Sequence, residues 1–180
     1  MQIVRNITWD DIINHWVRVE EARAGCTKTR DVIKFEIMNN NFVLDIMPFI
    51  DSVDWVEAVI EPQDINELFV ISSCDWYGFS NSYKLQEIYD HYINKNYSNP
   101  NRNTSNKSMK IDALQNGLKT QQDINRHLIM LCSQISGYYT IIDGCHRAVA
   151  LHCLSQLVGN SVYLGISPHL ICKNYRWVCH

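Results

Sequence analysis

The chain has 180 residues, of which 46% are hydrophobic and 19% are charged, and its formal net charge is −3. This composition excludes a globally disordered chain, and the length predicts one domain, with or without an appended subdomain. The acidic balance disfavours a general binder of nucleic-acid backbones. No long apolar run indicates a membrane span, and no signal peptide is indicated at the start.

The cysteines indicate a reducing compartment. Seven are present, an odd number, and none follows a CxxC spacing. Such a set is typical of reduced cysteines that serve as small core side chains. We therefore expect a cytoplasmic protein.

The first third of the chain predicts one helix and two strands. Residues 8–24 have apolar side chains at helical spacing behind Thr8, which is a suitable N-cap. Residues 32–37 and 42–47 are predicted to form two short strands. Residues 50–66 give no clear pattern.

The pattern becomes clearer after residue 66. A buried strand is predicted at 68–71, followed by the loop 72–82 and then a helix with apolar side chains on one face. The aromatic residues of this loop either join the core or line a pocket for a small polar ligand. Residues 94–108 are rich in asparagine and almost free of apolar side chains, which predicts a flexible insertion.

Five further elements are predicted after residue 108. A short helix is expected at 109–118, and strands at 128–131 and 138–142 form a hairpin. A helix over 144–158 and a strand over 162–166 complete the pattern.

The segment before this last helix contains the most informative motif. An apolar run ends at Asp143-Gly144 and is followed directly by Cys145, His146 and Arg147. Basic side chains are unfavourable in the first turn of a helix unless an anion, such as a phosphate, binds there. We expect Asp143 to be the N-cap, Gly144 to allow close approach of a ligand, and Arg147 to grip a phosphate. The position of Cys145 predicts a lowered thiol pKa.

The motif Asp-Gly-Cys-His-Arg between a strand and a helix resembles the ParB/sulfiredoxin superfamily, and the resemblance covers roughly residues 67–166. It implies an α+β fold in which residues 67–180 form a mixed sheet with packed helices and bind a nucleotide. In this division residues 94–108 are an insertion, and residues 1–66 are an N-terminal α/β extension.

Two branches of the superfamily share features with the motif. Gly144-Cys145-His146-Arg147 matches the sulfiredoxins, in which the cysteine is catalytic and the turn binds ATP phosphates. The aspartate at position 143, by contrast, resembles the motif of the free-serine kinases. In those enzymes the aspartate and histidine of the motif serve phosphoryl transfer. Those kinases have a glutamate base in the loop after the first strand of the family fold. Asp75 is the only carboxylate at the corresponding place here.

The resemblance implies a phosphotransferase that uses ATP or ADP with Mg²⁺ and acts on a small hydroxyl-bearing metabolite, such as an amino acid or sugar derivative. Asp143, His146 and Asp75 are the catalytic candidates, and residues Gly144, Cys145, His146 and Arg147 are the nucleotide-binding candidates. The metal ligands are not assigned. Three alternatives remain open: a sulfiredoxin-like ATP-dependent thiol enzyme that uses Cys145, a ParB-like DNA-binding or nuclease protein, and a binding or interaction module without catalytic activity. No membrane is expected as a partner. The leading hypothesis does not expect a nucleic acid as a partner either.

Overall fold

The structure, a computed structural model, describes residues 1–22, 26–39, 51–71, 76–97, 102–120, 126–135 and 137–168. These residues form six strands and five α-helices. The strands are β1 (Gln2–Asn6), β2 (Asp54–Val59), β3 (Leu68–Val70), β4 (Leu128–Cys132), β5 (Tyr139–Asp143) and β6 (Ser161–Ile166). The helices are α1 (Trp9–Glu21), α2 (Arg30–Met38), α3 (Leu85–Asn94), α4 (Arg102–Lys119) and α5 (Cys145–Cys153).

All six strands belong to one mixed sheet, so the predicted α+β class is confirmed. The strand order is β1-β2-β6-β4-β5-β3. β3 runs parallel to β5, β4 runs parallel to β6, and the other neighbouring pairs are antiparallel. The predicted hairpin of β4 and β5 is present. β1 and β2, from the first 66 residues, extend the same sheet beyond β6.

Helices cover both faces of the sheet. His15 of α1 contacts the ring of Tyr163 on β6, so α1 lies on the face to which Tyr163 points. Leu128 of β4 points to the opposite face and lies against the start of α5. α4 packs along α5, and α3 also contacts α5. The buried core therefore has two parts, separated by the sheet.

Two predictions of secondary structure are wrong, and in both places the structure has a helix. Residues 32–37 form part of α2 rather than a strand. Ile33 and Ile37, one helical turn apart, are buried, whereas Val32 and Phe35 are exposed. Residues 102–108 belong to α4, so the segment 94–108 is not simply a flexible insertion. The predicted strand at 42–47 lies outside the described residues.

Other predictions differ from the structure in their limits. The helix expected at 144–158 ends at Cys153, because Ser155 adopts a positive φ of 54° and leaves the helical path. Gly159 belongs to the turn before β6, where its amide donates to the carbonyl oxygen of Ile60. No helix in the described parts of the chain is long and apolar enough to cross a membrane.

Candidate functional site

The motif lies where β5 ends and α5 begins. β5 ends at Asp143, and Gly144 is the N-cap residue of α5 with a φ of 87°. A Cβ atom at Gly144 would lie 2.7 Å from Leu128 Cδ2 and 3.0 Å from Arg147 Nε and Nη2. Both the backbone angle and the close packing therefore require glycine at this position.

Asp143 does not cap the helix, contrary to the sequence prediction. The N-cap residue is Gly144, which has no side chain to cap α5, and the Asp143 carboxylate accepts a hydrogen bond of 2.6 Å from Arg147 Nη2. Asp143 precedes the N-cap, and its carboxylate meets the guanidinium of Arg147 four residues later. The N-cap residue therefore leaves the amide groups of the first turn of α5 uncapped, and Asp143 pairs with Arg147 in the same turn.

Cys145 does not have the environment of a reactive thiol. Its side chain is 7% exposed, and Sγ donates a hydrogen bond of 3.3 Å to the carbonyl oxygen of Ile141. Burial raises the pKa of the Cys145 thiol to about 11, so the expected lowering of this pKa is wrong. The helix N-terminus would favour the thiolate, but loss of solvation in the core outweighs it.

His146 is held uncharged by its surroundings. Burial, followed by the charges of Lys107, Lys110 and Arg147, lowers the pKa of His146 to about 3. Its ring centroid lies 4.8 Å from that of Trp76, and Nε2 lies 3.5 Å from Lys107 Nζ. An ammonium group can only donate, so Nε2 accepts and the ring proton is assigned to Nδ1.

Lys107 and Lys110 are functional candidates that the sequence analysis missed. Lys107 is only 8% exposed, and its Nζ lies 4.4 Å from the centre of the Trp76 ring. Lys110 is exposed on the next turn of α4. The spacing Lys-x-x-Lys on one helix face is a signal that could have been found if residues 102–108 had been predicted as a helix.

The sheet explains why these separate segments meet. β3 and β5 are parallel neighbours, so the segments that follow them start at the same edge of the sheet. Trp76 and Phe79 lie after β3 and are fully buried, with ring centroids 5.6 Å apart. The aromatic residues at 76 and 79 thus belong to the core, and Trp76 also forms a wall of the site.

Glu87 of α3 fixes the end of this segment. Its Oε2 accepts hydrogen bonds from Ser80 Oγ at 2.6 Å and Ser82 Oγ at 2.5 Å, and these bonds lower the pKa of Glu87. Asp75, the candidate base, lies outside the described residues. Its role stays a prediction.

Among the described side chains next to His146, positive charges predominate. The charges of Lys107, Lys110 and Arg147 act on His146, and Asp143 pairs with Arg147. In the described parts of the chain, no group of three or more His, Cys, Asp or Glu side chains is arranged to hold a metal ion. No protein-family model, curated protein or solved structure in the comparisons matches this chain.

Proposed function

We propose that the protein is a nucleotide-dependent phosphotransferase with a ParB/sulfiredoxin-like fold, which transfers a phosphoryl group from ATP or ADP to a small hydroxyl-bearing metabolite. The observation that carries the proposal is that Lys107 Nζ lies 3.5 Å from Nε2 of His146 in the first turn of α5, where the charges of Lys110 and Arg147 also act on His146. Positive side chains beside the first turn of a helix favour a phosphate-bearing ligand there.

The cationic side chains have distinct parts in this proposal. The amide groups of residues 145–147 and the guanidinium of Arg147 bind phosphate oxygens, and Asp143 holds the guanidinium in place. Lys107 approaches from α4 and places its ammonium group against the transferred phosphoryl group. Because Lys107 is buried, its charge acts through little intervening water and is weakly screened.

His146 contributes as a neutral hydrogen-bonding group. With a pKa of about 3, it is uncharged at neutral pH. Its Nδ1–H can donate to a phosphate oxygen while Nε2 accepts from Lys107. A bound phosphate raises the pKa of His146, because the anion offsets the surrounding positive charges.

The transfer itself requires an acceptor oxygen and a base. The hydroxyl oxygen of the metabolite forms a bond to the terminal phosphorus as the bond to the bridging oxygen of the nucleotide breaks. The hydroxyl proton passes to a base, for which Asp75 is the candidate.

Mg²⁺, when bound with the nucleotide, would supply charge compensation to the phosphates, and it commonly needs only one or two protein carboxylates. Asp143 is a carboxylate at the site that fits this requirement. Its carboxylate has two oxygen atoms, of which Oδ2 accepts the hydrogen bond from Arg147.

The experiment measures ATP and ADP binding by calorimetry in the presence of Mg²⁺, followed by mass spectrometry of candidate metabolites incubated with the bound nucleotide. Lys107→Gln and Arg147→Gln are each expected to weaken nucleotide binding roughly tenfold or more, because each removes a charged hydrogen bond. Lys119→Gln, at the exposed end of the same helix α4, is the matched control and should bind as the parent does.

Two results would overturn the proposal. One is the absence of nucleotide binding or of any phosphorylated product, and the other is equal affinity of the Lys107 and Lys119 variants. A gel shift with DNA at modest salt tests the ParB-like alternative, because the same cations could contact a nucleic-acid backbone.

A further inference from the structure

A tyrosine that follows α3 contacts α4 beside Lys107. Tyr97 is partly buried against the core, and its hydroxyl oxygen lies 3.0 Å from Oγ of Ser108. Ser108 is the residue after Lys107 on α4 and is only 9% exposed. Tyr97 therefore meets α4 next to the residue whose ammonium group lies beside His146.

The direction of this hydrogen bond follows from the partners of Ser108. A serine hydroxyl has one proton, and Ser108 donates it to the carbonyl oxygen of Thr104 at 3.0 Å. Oγ of Ser108 is therefore the acceptor, and the Tyr97 hydroxyl is the donor. Thr104 and Ser108 are both buried, so these groups have few other partners. The chain of two hydrogen bonds holds Tyr97 against the first half of α4.

The ring of Tyr97 packs against the aromatic side of the same site. Its centroid lies 5.1 Å from that of Phe79 in an edge-to-face arrangement. The Phe79 ring lies 5.6 Å from the Trp76 ring, over which Lys107 Nζ lies at 4.4 Å. The contacts thus form a closed circuit that begins at Lys107 and returns to its neighbour Ser108 through three aromatic rings.

This circuit restricts the position of Lys107 from two directions. A lysine side chain is a flexible four-carbon stem, so its ammonium group is placed accurately only if the helix that carries it is held in place. The Trp76 ring contacts the ammonium end, and the Tyr97 hydroxyl holds the backbone end through the adjacent serine. The ammonium group can then remain over the ring and 3.5 Å from Nε2 of His146.

A second tyrosine bonds to α4 farther from Lys107. The hydroxyl of Tyr92, on α3, donates to Oδ1 of Asp112 and accepts a hydrogen bond of 2.9 Å from Nε2 of Gln115. Asp112 is five residues after Lys107, which is more than one helical turn. Removal of the Tyr92 hydroxyl is therefore a matched comparison, because it takes a tyrosine hydrogen bond from the same helix away from the site.

We propose that Tyr97 is a positioning residue that acts through Ser108 to hold the ammonium group of Lys107 at the proposed phosphate site. Its effect on nucleotide affinity rests on the proposed function, whereas the position of Lys107 over the Trp76 ring can be measured without any nucleotide. When the Tyr97 hydroxyl is removed, α4 keeps its other contacts but loses this restraint. The ammonium group then spends less time over the ring.

The first experiment compares Tyr97→Phe with Tyr92→Phe in the full chain without nucleotide. The NMR signals of the Lys107 ε-methylene protons report position, because the ring current of Trp76 shifts protons held over its face upfield. We expect Tyr97→Phe to move these signals toward ordinary lysine values and Tyr92→Phe to leave them in place. Ser108→Ala removes the same hydrogen bond from the other side and should reproduce the shift. Unchanged Lys107 signals in Tyr97→Phe and Ser108→Ala, or an equal shift in Tyr92→Phe, overturn the proposal.

The second experiment measures the affinity for ATP with Mg²⁺ by calorimetry. Tyr97→Phe should weaken binding roughly threefold, less than Lys107→Gln does, because the ammonium group is retained but less well held. The double variant of Tyr97→Phe and Lys107→Gln should bind no more weakly than Lys107→Gln alone, since no ammonium group is left to position. Additive losses overturn the proposal, because they show that Tyr97 acts independently of Lys107.

The two experiments separate this inference from the proposed function. Absence of ATP binding by the parent contradicts the proposed function, and the Lys107 signals of the first experiment then decide the role of Tyr97. Normal ATP binding by Tyr97→Phe with unchanged Lys107 signals contradicts the role of Tyr97 and leaves the proposed function standing.

Discussion

Gly144→Ala is expected to destabilise the protein by about 2–5 kcal/mol. Its φ of 87° costs a residue with a Cβ atom about 1–2 kcal/mol. The new Cβ would also lie 2.7 Å from Leu128 Cδ2 and 3.0 Å from the guanidinium of Arg147, and crowding of this kind costs about 1–3 kcal/mol. Because the displaced Arg147 is a proposed phosphate ligand, the affinity for nucleotide should decrease as well.

Gly159→Ala separates the two contributions. Gly159 has nearly the same φ, 85°, but nothing lies within 4 Å of a Cβ atom built there. We expect this variant to lose only about 1–2 kcal/mol, the cost of the backbone conformation.

Urea unfolding of the parent and both variants, followed by circular dichroism, gives the two free-energy differences. Equal losses for Gly144→Ala and Gly159→Ala would refute the crowding argument. Retention of full nucleotide affinity by Gly144→Ala would refute the coupling of Gly144 to Arg147.

Three other predictions concern the groups around the motif. Lys107→Gln should raise the pKa of His146 above about 3, because one of the neighbouring positive charges is removed. The pKa should stay below 6.5, because burial, the largest cause of its lowering, remains. An NMR titration of the imidazole that shows no rise in this pKa contradicts the prediction. Between pH 6.5 and about pH 5 the unfolded chain protonates His146 and the folded chain does not, so stability should decrease by about 1.5 kcal/mol as the pH falls. Urea unfolding should show a shallower pH dependence for His146→Gln, and an equally steep one would count against the assignment. Iodoacetamide should modify the exposed Cys26 well before the buried Cys145, and peptide mass spectrometry showing the reverse order would contradict the environment of Cys145.

The position of the motif could be predicted from the sequence because its signals are local. An apolar run followed by Asp-Gly marks the end of a buried strand, and the alanine-rich segment that follows marks a helix. The structure has β5 and α5 at these places. The hydrogen bond from Arg147 to Asp143 also joins residues close in sequence. The sequence allows the Asp143 side chain either to cap the helix or to pair with Arg147, and it does not decide between these two arrangements.

The contribution of α4 could not be predicted from composition. Its buried face includes Thr104, Lys107 and Ser108, so the usual apolar signal of a packed helix is weak. Ser108 donates to the carbonyl oxygen of Thr104 and contacts the Tyr97 hydroxyl, which satisfies these polar groups inside the fold. Such partners are known only once the tertiary structure is known.

The contact between Lys107 and Trp76 gives the site an optical probe of its own. The ammonium group lies over the ring face at 4.4 Å, and indole emission responds to charge at this distance. An anion that pairs with Lys107 changes the field on the ring without having to touch it. In a variant with phenylalanine at the other tryptophan positions, the emission of Trp76 would therefore report occupancy of the site directly, before any acceptor is known.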